Sequence, residues 1–346
     1  MDFLFYLRDK MVAGAFSNKM VLGEPIKPEG HKLELYDIPD TKLKGHFDIN
    51  FKVGAGISYN ENYIVVPCYK IGDQICWKSY VLSVKDLSII DVIDDSYITK
   101  INSFNYAFSE THNIFRSYNL ASLKLIWEKD ELISTAISND IYIFSFNFSD
   151  EFGVKMYCYF IASGEISWKS DFLKVMINTE FKLRNIGNLF KHKDTLWIAL
   201  EDGSFILLDA LSGTFIKHII NPNPVANAVT GYFHSAKLNR MVKLHNNHFH
   251  EIDMDTHEVR YWDIQDIPKG MVKAADDTHI YMLDWKRPIF YAFNIEMRCI
   301  DFAWAVPDDI KVQMTSPLIS VKLSEDYVFV GTLNSEFLFV FDKENG

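Results

Sequence analysis

The stretch Asp194–Ile219, DTLWIALEDGSFILLDALSGTFIKHI, decides how the rest of the chain is read. Thr195 to Leu200 is a short run of apolar and β-favouring residues, and Glu201-Asp202-Gly203 is a turn with Gly where positive φ is needed. Ser204 to Leu208 is a second run. Asp209-Ala210-Leu211-Ser212-Gly213 is a second turn, in which the Asp can bond its own backbone and the Gly closes the bend. Thr214 to Ile219 makes a third strand. Such a meander has open faces and open edges, so it needs copies of itself to pack against.

Sliding the second turn along the chain finds the copies. Ser83 to Leu87, Asn119 to Leu123, Phe160 to Gly164, Asp209 to Gly213, Asp253 to His257, Asn294 to Arg298 and Asp342 to Gly346 each follow an apolar run. Their first residues fall at 83, 119, 160, 209, 253, 294 and 342, a mean step of about 43 residues, which is the length a four-stranded propeller blade needs. A polar turn precedes each hairpin, as at Asn60-Glu61-Asn62, Ser109-Glu110-Thr111 and Ser138-Asn139-Asp140. Trp127, Trp168, Trp262 and Trp304 follow their landmarks closely, where a large ring would wedge one blade on the next. The fold expected is therefore all-β: a seven-bladed β-propeller of four-stranded antiparallel blades.

The repeat carries a resemblance. DTLWIALEDGSFILLDALSGTFIKHI, with SNDIYIF and YFIASGEISWKSD (Ser138 to Phe144 and Tyr159 to Asp171), resembles the repeats of quinoprotein-like propellers: strand, Gly turn, strand ending in Asp, Ser/Thr-Gly turn, Trp-ended strand. That resemblance implies the fold. Its members include enzymes using pyrroloquinoline quinone and proteins that only bind other proteins. The quinone enzymes carry a vicinal cysteine pair over the cofactor, and no two cysteines are adjacent here, so no cofactor is expected.

The ends of the chain complete the expected architecture. Residues 1–30 read as an N-terminal extension and 31–346 as a single seven-bladed domain. Phe3 to Phe16 is expected as a short helix, with Phe3, Leu4, Leu7 and Met11 on one side. The last unit stops inside its second turn, so its outer strand must come from elsewhere. The alternating segment Lys32 to Ile38 is expected to supply it, an N-terminal strand closing the last blade.

Composition limits the partners. The chain of 346 residues has 35 basic against 46 acidic residues, a formal net charge of −11, and no basic run. Nucleic acid is therefore not expected, because phosphate neutralisation dominates that affinity; a basic protein partner suits the charge. Asp2, Arg8, Asp9 and Lys10 break the start as an export signal, and no apolar stretch approaches a membrane span. Cys68, Cys76, Cys158 and Cys299 are few and scattered, which fits a reducing cytoplasm. Cys68 and Cys76, symmetric about Gly72, could face each other across a hairpin, although buried thiols are the default.

No catalytic motif stands out: there is no Gly-x-Ser-x-Gly, phosphate-cradling Gly loop, His-Glu-x-x-His or Cys-x-x-Cys. His245, His248 and His250 have metal-donor chemistry, but Asn246-Asn247 reads as a hairpin turn that leaves only His248 and His250 on one face. No metal is expected. Asp91, Asp94, Asp95, Asp276-Asp277 and Asp308-Asp309 read as solvated turns. The binding surface is expected on central hairpin tips and the links between blades, at Asp150, Glu151, Phe152, Tyr232, Asp266, Trp285, Lys286, Arg287, Asp308 and Asp309. The expected function is a non-catalytic, cytoplasmic, monomeric propeller that binds another protein, in its specific form an immunity protein masking a toxin. The alternative is a glycosidase- or lyase-type enzyme with carboxylates gathered round the central funnel, recognisable by acids with raised pKa values.

Overall fold

The computed structural model describes residues 1–16, 19–25, 31–38, 41–53, 57–71, 75–111, 114–130, 134–149, 153–171, 189–200, 203–220, 232–245, 247–265, 267–268, 270–284 and 286–343. The expected seven blades are corrected by the strand pairing: the fold is an all-β propeller with eight sheets among the described residues, seven of four strands and one of five. The chain divides into two compact units.

Residues 1–95, 233–252 and 260–346 form one unit. Its first sheet is Met11–Phe16, Lys19–Pro25, His31–Asp37 and Lys42–Ile49; its second is built on Tyr63–Ile71, Ile75–Ser83 and Ile89–Asp94, with the short pieces Lys52–Val53 and Ser58–Tyr59 both pairing Tyr63–Ile71. The sixth sheet is Phe233–Ser235, Arg240–His245, His248–Asp253 and Val259–Asp263, and the seventh is Met271–Ala275, His279–Asp284, Ile289–Asn294 and Cys299–Ala305. The eighth combines Leu318–Leu323, Tyr327–Thr332 and Phe337–Asp342 with Asp2–Arg8.

Residues 96–232 with 253–259 form the other unit. It holds the third sheet (Ile98–Ile101, Tyr106–Thr111, Ile114–Asn119, Lys124–Lys129), the fourth (Ser134–Ser138, Tyr142–Ser149, Gly153–Phe160, Ile166–Ser170) and the fifth (Leu189–His192, Thr195–Ala199, Phe205–Asp209, Phe215–Ile219). The deciding stretch is three strands of that fifth sheet, and its residues Leu196, Ile198, Ile206 and Leu208 join Phe144, Met156 and Trp168 of the fourth in one buried cluster.

Three expectations fail together at the amino terminus. The expected helix over Phe3 to Phe16 is two strands, Asp2–Arg8 and Met11–Phe16. Phe3 to Leu7 is apolar at every position, so neither period can be read from it; exposure in the structure alternates with period two. Lys32 to Ile38 does not complete the last blade, because His31–Asp37 lies between Lys19–Pro25 and Lys42–Ile49 in the first sheet. The strand that pairs Phe337–Asp342 is Asp2–Arg8, antiparallel, with Phe3 opposite Phe341 and Arg8 opposite Phe337. The uncounted eighth unit spans 11–49, and it escapes the count because its third strand, His31–Asp37, covers the segment expected in the last blade.

A left-handed turn residue is the marker the sheets share. Thr41, Leu87, Leu123, Gly164, Gly213, His257 and Arg298 all have φ between 48° and 70°. At Gly164, Gly213, His257 and Arg298 its N–H donates to the carbonyl of the turn's first residue at 2.8–2.9 Å. Ring packing uses the same point. The Trp127 indole N–H donates to the Ile161 carbonyl at 2.6 Å, and that of Trp168 to the Ala210 carbonyl at 3.0 Å. Each ring lies so close to the next turn that a Cβ on Gly164 or Gly213 would sit 2.6 Å or 2.4 Å from it. Trp304 packs differently, against Phe3, Phe339 and Phe341 at 5.1–5.2 Å.

Candidate docking rim

In an antiparallel meander the tip between strands two and three leaves from the same strand ends as the link after strand four. In the seventh and eighth sheets these segments are tied into one scaffold. The seventh sheet's tip is ordered by Asp284, only 4% exposed, whose carboxylate accepts from the Lys286 N–H at 2.8 Å, the Arg287 N–H at 3.1 Å and Arg287 Nε at 2.8 Å. Burial raises the Asp284 pKa, but the Arg287 guanidinium and the two backbone donors outweigh it and hold the carboxyl below its ordinary range. Arg287 projects from the tip with its charge already paired.

The link 306–317 runs beside this tip. Its Val306 N–H donates to the Pro288 carbonyl at 3.0 Å, and Pro307 starts a one-turn helix, Asp308–Lys311, anchored by buried Ile310. The far end is held by Glu336, which accepts from the Thr315 N–H at 2.9 Å and the Ser316 N–H at 3.2 Å, and from the Thr315 hydroxyl. Those donors hold the Glu336 carboxyl below its ordinary value. Leu333 N–H closes the eighth sheet's tip on the Pro317 carbonyl at 3.0 Å. Arg8 stacks on Phe337 at 5.2 Å and bonds Gln313.

On this scaffold Asp308 and Asp309 are exposed and form no ion pair among the described residues. Val312, still in helical conformation, is 82% exposed, and Leu333 is 56% exposed. Spacings of three and four residues put Val312 on the same side of the turn as the two carboxylates.

Of the residues expected at the binding surface, Lys286, Arg287, Asp308 and Asp309 are thus brought to two neighbouring segments. Tyr232 is 3% exposed in the other unit, its hydroxyl donating to the Gly203 carbonyl at 3.2 Å and its ring edge-on to Phe205 at 4.8 Å. Asp150, Glu151, Phe152, Asp266 and Trp285 lie outside the described residues. Val312 and Leu333 were missed: an isolated apolar residue in a polar loop carries no sequence signal of exposure.

The other titratable clusters are built into the sheets. Glu34, 5% exposed, accepts from Lys10 at 2.8 Å and Tyr36 at 2.9 Å and pairs Lys32 at 2.7 Å; burial pushes its pKa up, but the lysines outweigh it and bring it to about 2. Asp276 joins the seventh and eighth sheets through Lys343 at 2.9 Å and Tyr281 at 2.7 Å, which overcome burial and lower it to about 2. Every described carboxylate with a displaced pKa is displaced downward. His248 pairs Asp263 at 2.7 Å while His250 packs edge-on to Tyr261 at 4.4 Å, and no metal-holding group of three His, Cys, Asp or Glu occurs among the described residues. The four cysteines are free: Cys68 is buried opposite Lys78, and Cys76 is exposed opposite Lys70, so the two do not face each other.

No protein-family model and no curated protein sequence matches the chain. Solved structures do. BamB from Moraxella catarrhalis superposes with a TM-score of 0.66 at 9% identity, covering 99% of each chain. Sqt1 of Saccharomyces cerevisiae gives 0.63 at 11% identity over 99% of each chain, and the C-terminal WD40 domain of Sif2 gives 0.60 at 9% over 99% of this chain and 98% of that one. Across this range of identity the likeness carries the β-propeller fold and no activity.

Proposed function

We propose that the chain is a non-catalytic, protein-binding propeller of the quinoprotein-like repeat type, which docks a basic protein on the rim formed by the 284–288 tip, the 306–317 link and the 332–336 tip. The observation that carries the reading is Val312, 82% exposed on the same side of the turn as Asp308 and Asp309, which form no ion pair among the described residues, on a link whose backbone is fastened at both ends. A fixed apolar residue ringed by charge is how an interface centre is built, because a preordered loop loses little entropy on binding. The net charge of −11 favours a basic partner through steering. The repeat-type assignment rests on the Trp and left-handed turn pairings at Trp127 and Trp168 together with the likeness to BamB.

In its specific form the partner is a toxin and this chain its immunity protein, held in a reducing cytoplasm that suits an exposed free thiol at Cys76. The test is cross-linking capture from the native cells with wild type, a D308K/D309K/V312D variant and a control variant at Lys124 and Lys129. A basic protein retained by wild type and control but lost from the rim variant supports the reading. Equal recovery with all three, or recovery of an acidic partner, refutes it.

A further inference from the structure

The sixth and seventh sheets meet at a cavity of about 420 Å³, lined by Asp263, Ile264, Gln265, Ile267, Arg298 and Ile300 among others. It forms where the chain departs from its own repeat. In the units of Trp127 and Trp168 the indole lies flat on the glycine of the next turn and bonds a carbonyl of that turn. At Trp262 the indole again meets the next turn's left-handed residue, but that residue is Arg298, φ 55°. Trp262 also comes five residues after its own left-handed residue, His257, where Trp127 and Trp168 come four after theirs. The guanidinium stacks on the indole with its carbon 3.9 Å from the ring centroid, so the ring cannot close on the backbone.

A long cationic side chain at a left-handed position is the costlier choice where Gly serves elsewhere. The stacked guanidinium makes no ion pair among the described residues, and its Nε is buried without an acceptor. A buried donor with no partner calls for an anion or a water. Stacking holds the guanidinium plane in one orientation, which favours a carboxylate because that group accepts two parallel hydrogen bonds. The walls are aliphatic: Ile264, Ile267 and Ile300 belong to the cluster that packs around Phe249 and Phe293.

We propose that this cavity binds a carboxylate carried on a branched aliphatic group, with Arg298 as the anion contact, the three isoleucines as the apolar wall and Gln265 as a neutral hydrogen-bonding side. Its volume lies within the range of small-ligand pockets. The site does not depend on the docking rim. Its ligand is a free aliphatic acid or the C-terminal residue of a peptide.

Calorimetric titration of the whole chain with N-acetyl-leucine, leucine amide and the tripeptide N-acetyl-Gly-Val-Leu tests this. N-acetyl-leucine is expected to bind saturably and leucine amide at least tenfold more weakly. Tighter binding of the tripeptide than of N-acetyl-leucine assigns the peptide source, and equal or weaker binding assigns the free acid. R298G supplies the residue found at this position in the units of Gly164 and Gly213, tolerates the left-handed backbone and is expected to fold and to lose at least tenfold in affinity; I264W fills the cavity, keeps the charge and should lose binding as well. No saturable binding by wild type, or undiminished binding by R298G, overturns the proposal.

Discussion

The contact between Trp168 and Gly213 permits a quantitative test of what the repeat glycine is for. Gly213 has φ +68°, and a Cβ there would lie 2.4 Å from the Trp168 ring, whose N–H bonds Ala210. Alanine at 213 therefore meets two separate penalties: about 1–2 kcal/mol for a left-handed non-glycine residue, and about 1–3 kcal/mol for forcing a buried ring out of place. G213A should cost about 2–5 kcal/mol. W168A leaves a cavity among Phe144, Met156 and Leu208 and should cost about 3–5 kcal/mol. With the ring gone only the backbone penalty remains, so G213A made in W168A should cost about 1–2 kcal/mol, a coupling of about 1–3 kcal/mol. Urea unfolding followed by far-ultraviolet circular dichroism reads all four corners of the cycle, provided the slopes agree. Equal cost of G213A in both backgrounds would show that the glycine serves the turn alone and that the wedge reasoning is wrong.

Two further predictions concern the sixth sheet. His250 is 4% exposed with no acceptor or donor at Nδ1, and burial, helped by Lys243, lowers its pKa to about 4. The folded state thus resists a proton that the unfolded chain accepts near its ordinary value of 6.5. Stability from this group is complete above that value and falls as pH drops towards 4, by about 3 kcal/mol in all; H250F should flatten that part of a melting-temperature profile, and an unchanged profile would refute the assignment. Lys243 is 3% exposed and burial lowers its pKa to about 8. Its charged form is disfavoured by burial in the folded chain, a cost present at pH 7 and relieved as pH rises from about 8 to 10.5. K243M should therefore stabilise by up to about 3 kcal/mol at pH 7, with the gain shrinking above pH 8 in urea titrations; destabilisation at pH 7 would show that the ammonium holds a contact worth more than its burial costs.

The amino-acid sequence by itself determined what is local. A turn that ends in a left-handed residue is written in five consecutive positions, and its chemistry is complete within them: Asp209 accepts from Leu211 and Ser212, and Gly213 donates back to Asp209. In all six landmark turns that lie among the described residues the fifth residue is left-handed, from Leu87 to Arg298. The strand period and the indole wedges at Trp127 and Trp168 were legible for the same reason. The surface positions Lys286, Arg287, Asp308 and Asp309 were legible only as exposed polar segments.

Tertiary structure decided whatever depends on which strand lies beside which. Asp2–Arg8 pairs with Phe337–Asp342 across the length of the chain, and nothing in an all-apolar run names its partner or even its period. The same alternation in Lys32 to Ile38 serves equally well in the first sheet or the last, so the count of units shifted from eight to seven with one mistaken assignment. Likewise Arg298 meets Trp262 only because two sheets are packed together. Backbone conformation is a property of neighbours in sequence, whereas pairing and cavities are properties of neighbours in space.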